Sequence, residues 1–481
     1  MNNNYYLNTI TDGGFSMAMN WNMLMSDARY HEDSADAAEC GEVTYENDYD
    51  TIISSTLFRR LQDKAQVFPL EEDDYVRTRL THSLEVSAIG KKLGEYVFRK
   101  LRDAGADEWF DTHSEKDFSD VLLCAGLVHD IGNPPFGHFG EYAIREWFQN
   151  NISSLKLKGV SIDRILTDEQ LGDLYHFEGN AQSLRILSAT PYLGTLAGFN
   201  LSYAVLAAII KYPVSSVAVA SSSKYRKFGY NTAEKALFDD ISSKTGMNGS
   251  RHPLSYLLEA ADDIAYRTSD IEDAMVKKVI SYSQIEASLE VYAEANGYDN
   301  MYKNIGILKE LCAKEIGSGH RNPELTALQM WNKRMKRLMI EEASDSFVKN
   351  YDAIINGTFE GGLFENTSSG HIIGAISQLS EQMIYTSPVK IKTELFGRRV
   401  IESLLGQFMP AAVRFDTDDK MTFIDCRTID IISGFYKSMY KAQSDGRDES
   451  EKLYLRILMV TDYISGMTDS YAKRLYNGLF V

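Results

Sequence analysis

Apolar residues recur at three- and four-residue steps through most of the chain, the period of helices with one buried face. After Leu80, the positions Val86, Ile89, Leu93 and Val97 line one such face. Residues 121–128 are apolar on all sides, which predicts a helix buried in the middle of a domain. Residues 184–187, 201–211 and 254–270 continue the helical series. Short β-rich patches such as 214–219 predict a hairpin there and nothing larger. Breaks containing Gly, Ser and Asn fall near 221–231, 242–253, 356–370 and 441–449, none long enough to be a linker. No internal repeat or low-complexity segment appears. The expected fold is all-α: an N-terminal arm over 1–50, acidic from Asp27 to Asp50, a helical core over 51–280, and a C-terminal helical region over 281–481 packed on that core.

Composition narrows the class. With 481 residues, 44% hydrophobic and 25% charged, the chain can bury a substantial core. The longest apolar runs, near 121–128 and 204–210, fall far short of the ~20 residues a bilayer needs, so no membrane partner is expected. The first residues lack the basic and apolar regions of a secretory leader. Cys40, Cys124, Cys312 and Cys426 stand far apart, which suggests neither a zinc knuckle nor a disulfide framework, and a cytoplasmic location is expected. A formal charge of −18 repels a phosphate backbone. An anionic small substrate then requires Lys, Arg or a metal ion to reverse the field locally.

Candidate chemistry begins with His82, the adjacent His129-Asp130, and His138. An imidazole and a carboxylate side by side at the end of an apolar helix are costly to bury unless something pairs with both. A divalent metal does so, and mixed nitrogen and oxygen donors suit Mn, Fe, Co, Zn or, less comfortably, Mg. Alone, the dipeptide is weak evidence and reads more readily as a histidine hydrogen-bonded to its neighbours. The segment 129–141 adds a Gly/Pro-rich turn followed by His138 and Glu141, three residues apart and on one face of a new helix. A neutral imidazole oriented by a carboxylate can act as general base or nucleophile. Further along, Asp262, Tyr266 and Asp270 lie at i, i+4 and i+8, each step drifting only ~40°, so they share a face. Asp263 is rotated about 100° away. On spacing alone, Tyr266 reads as well as core packing.

The HD superfamily takes its name from a metal set of the form H…HD…D, and His82, His129-Asp130 and Asp262 match it. More narrowly, the chain resembles the bacterial dGTP triphosphohydrolases. The resemblance rests on the strings 58–70, 77–83, 129–141, 176–182, 259–264 and 462–469, and so covers most of the chain. It implies that His82, His129, Asp130 and Asp262 bind a divalent metal, Mn or Mg, with Co, Fe or Zn as other options. It implies that His138 and Glu141 serve hydrolysis at the α-phosphorus, releasing nucleoside and intact triphosphate. Arg79, Asn133, His176, Lys211, Tyr212 and Lys227 match phosphate-facing positions. Gln66, Tyr266 and Asp270 resemble the deoxyribose pocket, with Tyr266 filling the space of a 2′-hydroxyl and Asp270 and Gln66 bonding the 3′-hydroxyl. Glu394 and Arg399 fall near a segment that helps read guanine, across a subunit interface in the family. Homo-oligomers, commonly hexamers, and a regulatory single-stranded DNA site follow as expectations from the same resemblance. One departure is Asp50, where related sequences often carry a basic residue, and residues 281–385 offer no landmark.

Two other readings stand beside a dNTP triphosphohydrolase. An HD phosphodiesterase or 5′-nucleotidase keeps the metal set but takes a monophosphate or cyclic substrate, against which the several Lys and Arg residues argue. A nucleic-acid-binding protein on an HD scaffold draws on Lys333, Arg334, Lys336 and Arg337, a basic helical face balanced by Glu341 and Glu342.

Overall fold

A computed structural model describes residues 18–31, 45–71, 73–189 and 198–481. Most of the expected N-terminal arm, with Cys40, lies outside the described residues. The helices that frame the site are numbered α1 to α11 in chain order. α1 (Arg79–Asp103) starts at a capping box in which Thr78 and Thr81 bond each other's backbone N–H groups. Its buried face carries Val86, Ile89, Leu93 and Val97, as the periodicity predicts. α2 (Glu115–Val128) begins where the Ser114 hydroxyl accepts from the N–H groups of Lys116 and Asp117. Its last eight residues include the apolar run, nearly all of it buried. α1 and α2 pack so closely that a Cβ on Gly126 would lie 2.6 Å from the Ser87 backbone, and only glycine fits there. α6 (Pro253–Val276) starts with proline at its first turn and His252 accepting from Leu254 N at 3.1 Å.

Two hydrophobic cores result. The first unites α1, α2, α5 (Tyr203–Ile209), α6, α7 (Pro323–Lys349) and α8 (Ser368–Leu379), so it draws on residues from both sides of residue 280. The second unites α3 (Gly137–Asn151), α9 (Pro388–Arg414), α10 (Glu449–Ser465) and α11 (Asp469–Phe480). Ile131 belongs to the first core and Phe136 to the second, so the chain crosses from one to the other directly after His129-Asp130.

The hairpin expected at 214–219 does not form. Residues there pack irregularly and end in the 3-10 turn Ala218–Ser221, because β-branched residues make a strand only when a partner strand lies alongside. The hairpin instead joins Lys156–Leu157 to Val160–Ser161. Lys158 (φ 51°) and Gly159 (φ 81°) supply the two left-handed residues that a tight hairpin turn requires. Among the described residues, no helix is long and apolar enough to cross a membrane, and Cys124, Cys312 and Cys426 are free.

Candidate metal centre and active site

Four elements deliver side chains to one point. His82 stands on the first turn of α1, His129 ends α2, Asp130 follows it, and Asp262 projects from the middle of α6. Ligand atoms of His82, His129 and Asp130 all lie within 4.8 Å of one another. Asp262 Oδ1 joins them, 3.2 Å from His82 Nε2 and 3.6 Å from His129 Nε2. Asp130 Oδ1 is 3.7 Å from His129 Nε2, and its Oδ2 is 4.0 Å from His82 Nε2. Both imidazoles therefore aim Nε2 at the same pair of carboxylates.

This donor set fits a divalent metal. His129 Nδ1 lies 2.8 Å from the Gly126 carbonyl, which fixes the tautomer that leaves Nε2 with a lone pair. Nε2 itself is buried with no hydrogen-bond partner among the described residues, as a ligand atom would be. Around the donors sits a second ring of charges. Arg79 pairs with Asp130 Oδ2, Asn133 Nδ2 donates to Asp130 Oδ1 at 2.6 Å, and Lys211 Nζ donates to Asp262 Oδ2 at 3.0 Å. Burial opposes the charge of Asp130, but Arg79, His129 and His82 hold its carboxyl well below the usual range. Burial likewise opposes Asp262, and Lys211 and His129 keep it ionised. At His129, burial works against a proton, yet the fields of Asp130 and Asp262 prevail, so the centre favours positive charge.

The loop leaving Asp130 presents the second pair. Phe136 (φ 65°), which caps α3, and Gly137 (φ 65°), its first residue, both adopt left-handed backbone. For Phe136 that conformation is strained, and the fold enforces it: its N–H donates to Asp469 Oδ1 at 2.9 Å and its ring packs on Phe396. His138 Nδ1 then lies 3.5 Å from Glu141 Oε2, a loose contact that leaves the largely exposed ring with Nε2 free. Glu141 is buried; its Oε1 accepts from Gly179 N at 3.1 Å and its Oε2 faces Arg145 at 3.3 Å. Burial raises the Glu141 carboxyl, but His138, Lys227 and Arg145 overcome it and hold the group below its ordinary value.

Of the expected substrate contacts, Arg79 and Lys211 belong to the metal centre. Lys227 Nζ bonds Glu178 Oε1 at 3.2 Å, and Tyr212 lies in the field of Lys211 and Lys227. Lys211 and Tyr212 also line a cavity of about 550 Å³ between α6 and residues 359–374. Asp270 sits two turns beyond Asp262 on α6, accepts from the Tyr385 hydroxyl at 2.9 Å through Oδ2, and keeps Oδ1 buried and unpartnered among the described residues. Gln66 likewise keeps Oε1 buried and unpartnered. Tyr266 is half-buried beneath the Arg267 guanidinium, 4.6 Å from its ring centre. Glu394 pairs with Lys390, whose amine lies 5.5 Å from the Tyr385 ring centre. Arg399 is exposed on α9, and His176 is exposed at the end of the helix Asp168–Tyr175; no contact brings either to the centre.

A model of the HD domain matches residues 79–171, which hold His82, His129, Asp130 and the His138–Glu141 pair. The chain is also similar to a deoxyguanosinetriphosphate triphosphohydrolase-like protein of Listeria monocytogenes, 41% identical over 467 residues, 96% of this chain and 99% of the relative. The chain belongs to the deoxyguanosinetriphosphate triphosphohydrolase family. A Pseudomonas aeruginosa member named deoxyguanosinetriphosphate triphosphohydrolase-like protein is 33% identical, covering 95% of this chain and 98% of its own length. The Yersinia enterocolitica deoxyguanosinetriphosphate triphosphohydrolase is 31% identical over 90% of this chain and 93% of its own. The chain is thus an HD-domain hydrolase.

Within this triphosphohydrolase frame, several residues escaped the sequence reading. Glu178 joins Arg145 to Lys227 beside Glu141; it stands in the string 176–182, where a buried acid next to a phosphate position was the available signal. Tyr385 follows the π-helical turn Ser380–Ile384, an irregularity of the kind often found at working sites, and no periodicity marks it. Lys64 is buried, donating to the Asn133 carbonyl at 2.6 Å and the Ser465 carbonyl at 2.8 Å.

Proposed function

We propose that the protein hydrolyses deoxynucleoside triphosphates, dGTP foremost, to deoxynucleoside and inorganic triphosphate. The observation that carries this is the convergence of two imidazole Nε2 atoms and two carboxylates, with Arg79 and Lys211 on the outer oxygens. A divalent metal held by His82, His129, Asp130 and Asp262, Mn or Mg with Co, Fe or Zn also suited to these donors, supplies Lewis-acid stabilisation of phosphoryl charge when bound. Arg79, Asn133, Lys211, Tyr212 and Lys227 receive the phosphate oxygens, providing the local positive field that an acidic chain needs.

His138 leans Nδ1 on Glu141 and keeps Nε2 for the proton of the attacking water. Water oxygen bonds the α-phosphorus, the bond from phosphorus to O5′ breaks, and the proton taken up by His138 passes to the 5′-oxygen, which leaves as the nucleoside hydroxyl. On α6, Tyr266 occupies the place of a 2′-hydroxyl, while Asp270 and Gln66 offer their unpartnered oxygens to the 3′-hydroxyl. By the family resemblance Glu394 and Arg399, in the first half of α9, help read guanine, with the chain acting as a cytoplasmic homo-oligomer, a hexamer by the same resemblance, open to regulation by single-stranded DNA. The basic face at 333–337 is weak support for a nucleic-acid-binding role, since Lys336 is tied to Glu85 at 2.9 Å.

Purified protein loaded with Mn and given dGTP, dAMP and single-stranded DNA in turn tests the reading. Inorganic triphosphate and deoxyguanosine from dGTP are the expected products. Phosphate from dAMP, with dGTP left intact, would overturn it in favour of a nucleotidase.

A further inference from the structure

Tyr266 is held in place by its sequence neighbour. The Arg267 guanidinium lies over the Tyr266 ring at 4.6 Å from carbon to ring centre. One end of that guanidinium reaches back a turn to Asp263 Oδ1 at 3.3 Å, and the other donates to Ser377 Oγ on α8. Ser377 is anchored in turn, its hydroxyl donating to the Ile373 carbonyl at 2.6 Å. The Tyr266 hydroxyl lies in the field of the same Asp263 carboxylate. The ring is therefore covered on its face by Arg267, whose two ends are held by Asp263 and Ser377, and the clamp is bolted to a second helix. Such anchoring exceeds what a partly exposed tyrosine needs for packing. A planar fork with several donors suits this task, since it can stack on a ring while bonding partners at both ends.

We propose that Arg267 is a positioning residue for sugar discrimination: it pins the Tyr266 ring where a 2′-hydroxyl would stand, and thereby sets how strictly ribonucleotides are refused. This rests on the reading of Tyr266 as the residue beside C2′. Asp263, one position past Asp262, then has a role of its own in holding one end of the Arg267 guanidinium. Without Arg267 the ring swings about its side-chain bonds and a ribose gains room.

The test uses the full chain loaded with Mn, comparing kcat/KM for dGTP and GTP in the parent, Tyr266→Ala, Arg267→Ala, Arg267→Lys and Ser377→Ala. Arg267→Ala is expected to raise the GTP-to-dGTP ratio roughly fivefold to tenfold, with metal content unchanged. Arg267→Lys keeps the charge but not the fork and should fall between, and Ser377→Ala should shift the ratio less and in the same direction. Loss of packing alone would lower both rates together and leave the ratio fixed. If Arg267→Ala does not fold, Ser377→Ala carries the test. A parental ratio in the Arg267 and Ser377 variants, alongside a raised ratio in Tyr266→Ala, overturns the clamp and leaves Tyr266 as the gate. An unchanged ratio in Tyr266→Ala removes the gate, and this proposal with it.

Discussion

At Asp130 both carboxylate oxygens are engaged, Oδ1 by Asn133 and Oδ2 by Arg79, and each also faces an imidazole. Its replacement by Ala removes a ligand and leaves Arg79 buried without its counter-charge. Asp130→Ala should lose both bound metal and hydrolysis, measured by elemental analysis and triphosphate release; an active, metal-free variant would mean the centre is elsewhere. His138 contrasts with it, being exposed and outside the donor set. His138→Ala should keep metal and dGTP affinity while turnover falls roughly 10²–10⁴-fold, and a variant that loses affinity but not turnover would make His138 a binding residue. Asp270 adds a pH signature. Burial pushes its carboxyl up to about 7, so the folded state binds a proton that the unfolded chain has released above its ordinary value near 3.8. Stability should therefore fall as pH rises from 4 through 7. Asp270→Asn removes that penalty and should gain on the order of 3 kcal/mol at pH 8, shrinking toward pH 4; parallel melting curves for parent and variant across that range would refute it. The convergence of His82, His129, Asp130 and Asp262 was legible through the resemblance to the H…HD…D pattern, since the His-Asp pair alone reads more readily as a histidine satisfied by its neighbours. Tyr385 and Lys64 were not, since one follows a π-turn and the other bonds only backbone carbonyls, which no side-chain pattern announces.

Helices legible from periodicity, such as α1, α2 and α6, are those whose buried face is continuous; the misplaced hairpin shows the limit, because strand pairing depends on a partner that local composition does not reveal. Between helices, the decisive fit is the start of α4 (Gly179–Ala189) against α3. A Cβ on Gly179 would lie 2.3 Å from Asn133 Oδ1 and 2.6 Å from Glu141 Oε1, contacts that real side chains do not make. Gly179→Ala must push both groups aside and should cost about 1–3 kcal/mol in stability. Its turnover should fall further than that loss explains, because Asn133 orients Asp130 and Glu141 orients His138. A variant less stable yet fully active per folded molecule would show that neither needs the close approach. The shared face of α6 carries a second expectation at this scale: dideoxy-GTP should be a poor substrate, since losing the 3′-hydroxyl leaves Asp270 Oδ1 unpaired in a buried place. Equal rates for dGTP and dideoxy-GTP would detach Asp270 from the sugar.

Across the whole molecule, the centre straddles the two cores, with α1, α2 and α6 in one and α3 in the other. The crossing loop is fastened from the far end of the chain. Asp469 takes the Phe136 N–H at 2.9 Å and the Ala65 N–H at 3.1 Å, while Lys64 ties the Asn133 carbonyl to that of Ser465. Removing residues 462–481 should therefore abolish hydrolysis although it deletes none of the four ligands; a truncated protein that still cleaves dGTP would show that the fastening is dispensable. With a formal charge of −18 the chain as a whole repels polyanions, while Arg79, Lys211 and Lys227 gather positive charge beside the centre. The long-range fastening also bears on how the protein comes into being. On the ribosome, all four candidate donors have been translated by Asp262, and Lys64 can already hold the Asn133 carbonyl, yet the fastening to Ser465 and Asp469 must wait until the last two helices emerge. A chain terminated before α11 should then be inert, and hydrolysis should begin only once that helix has been made.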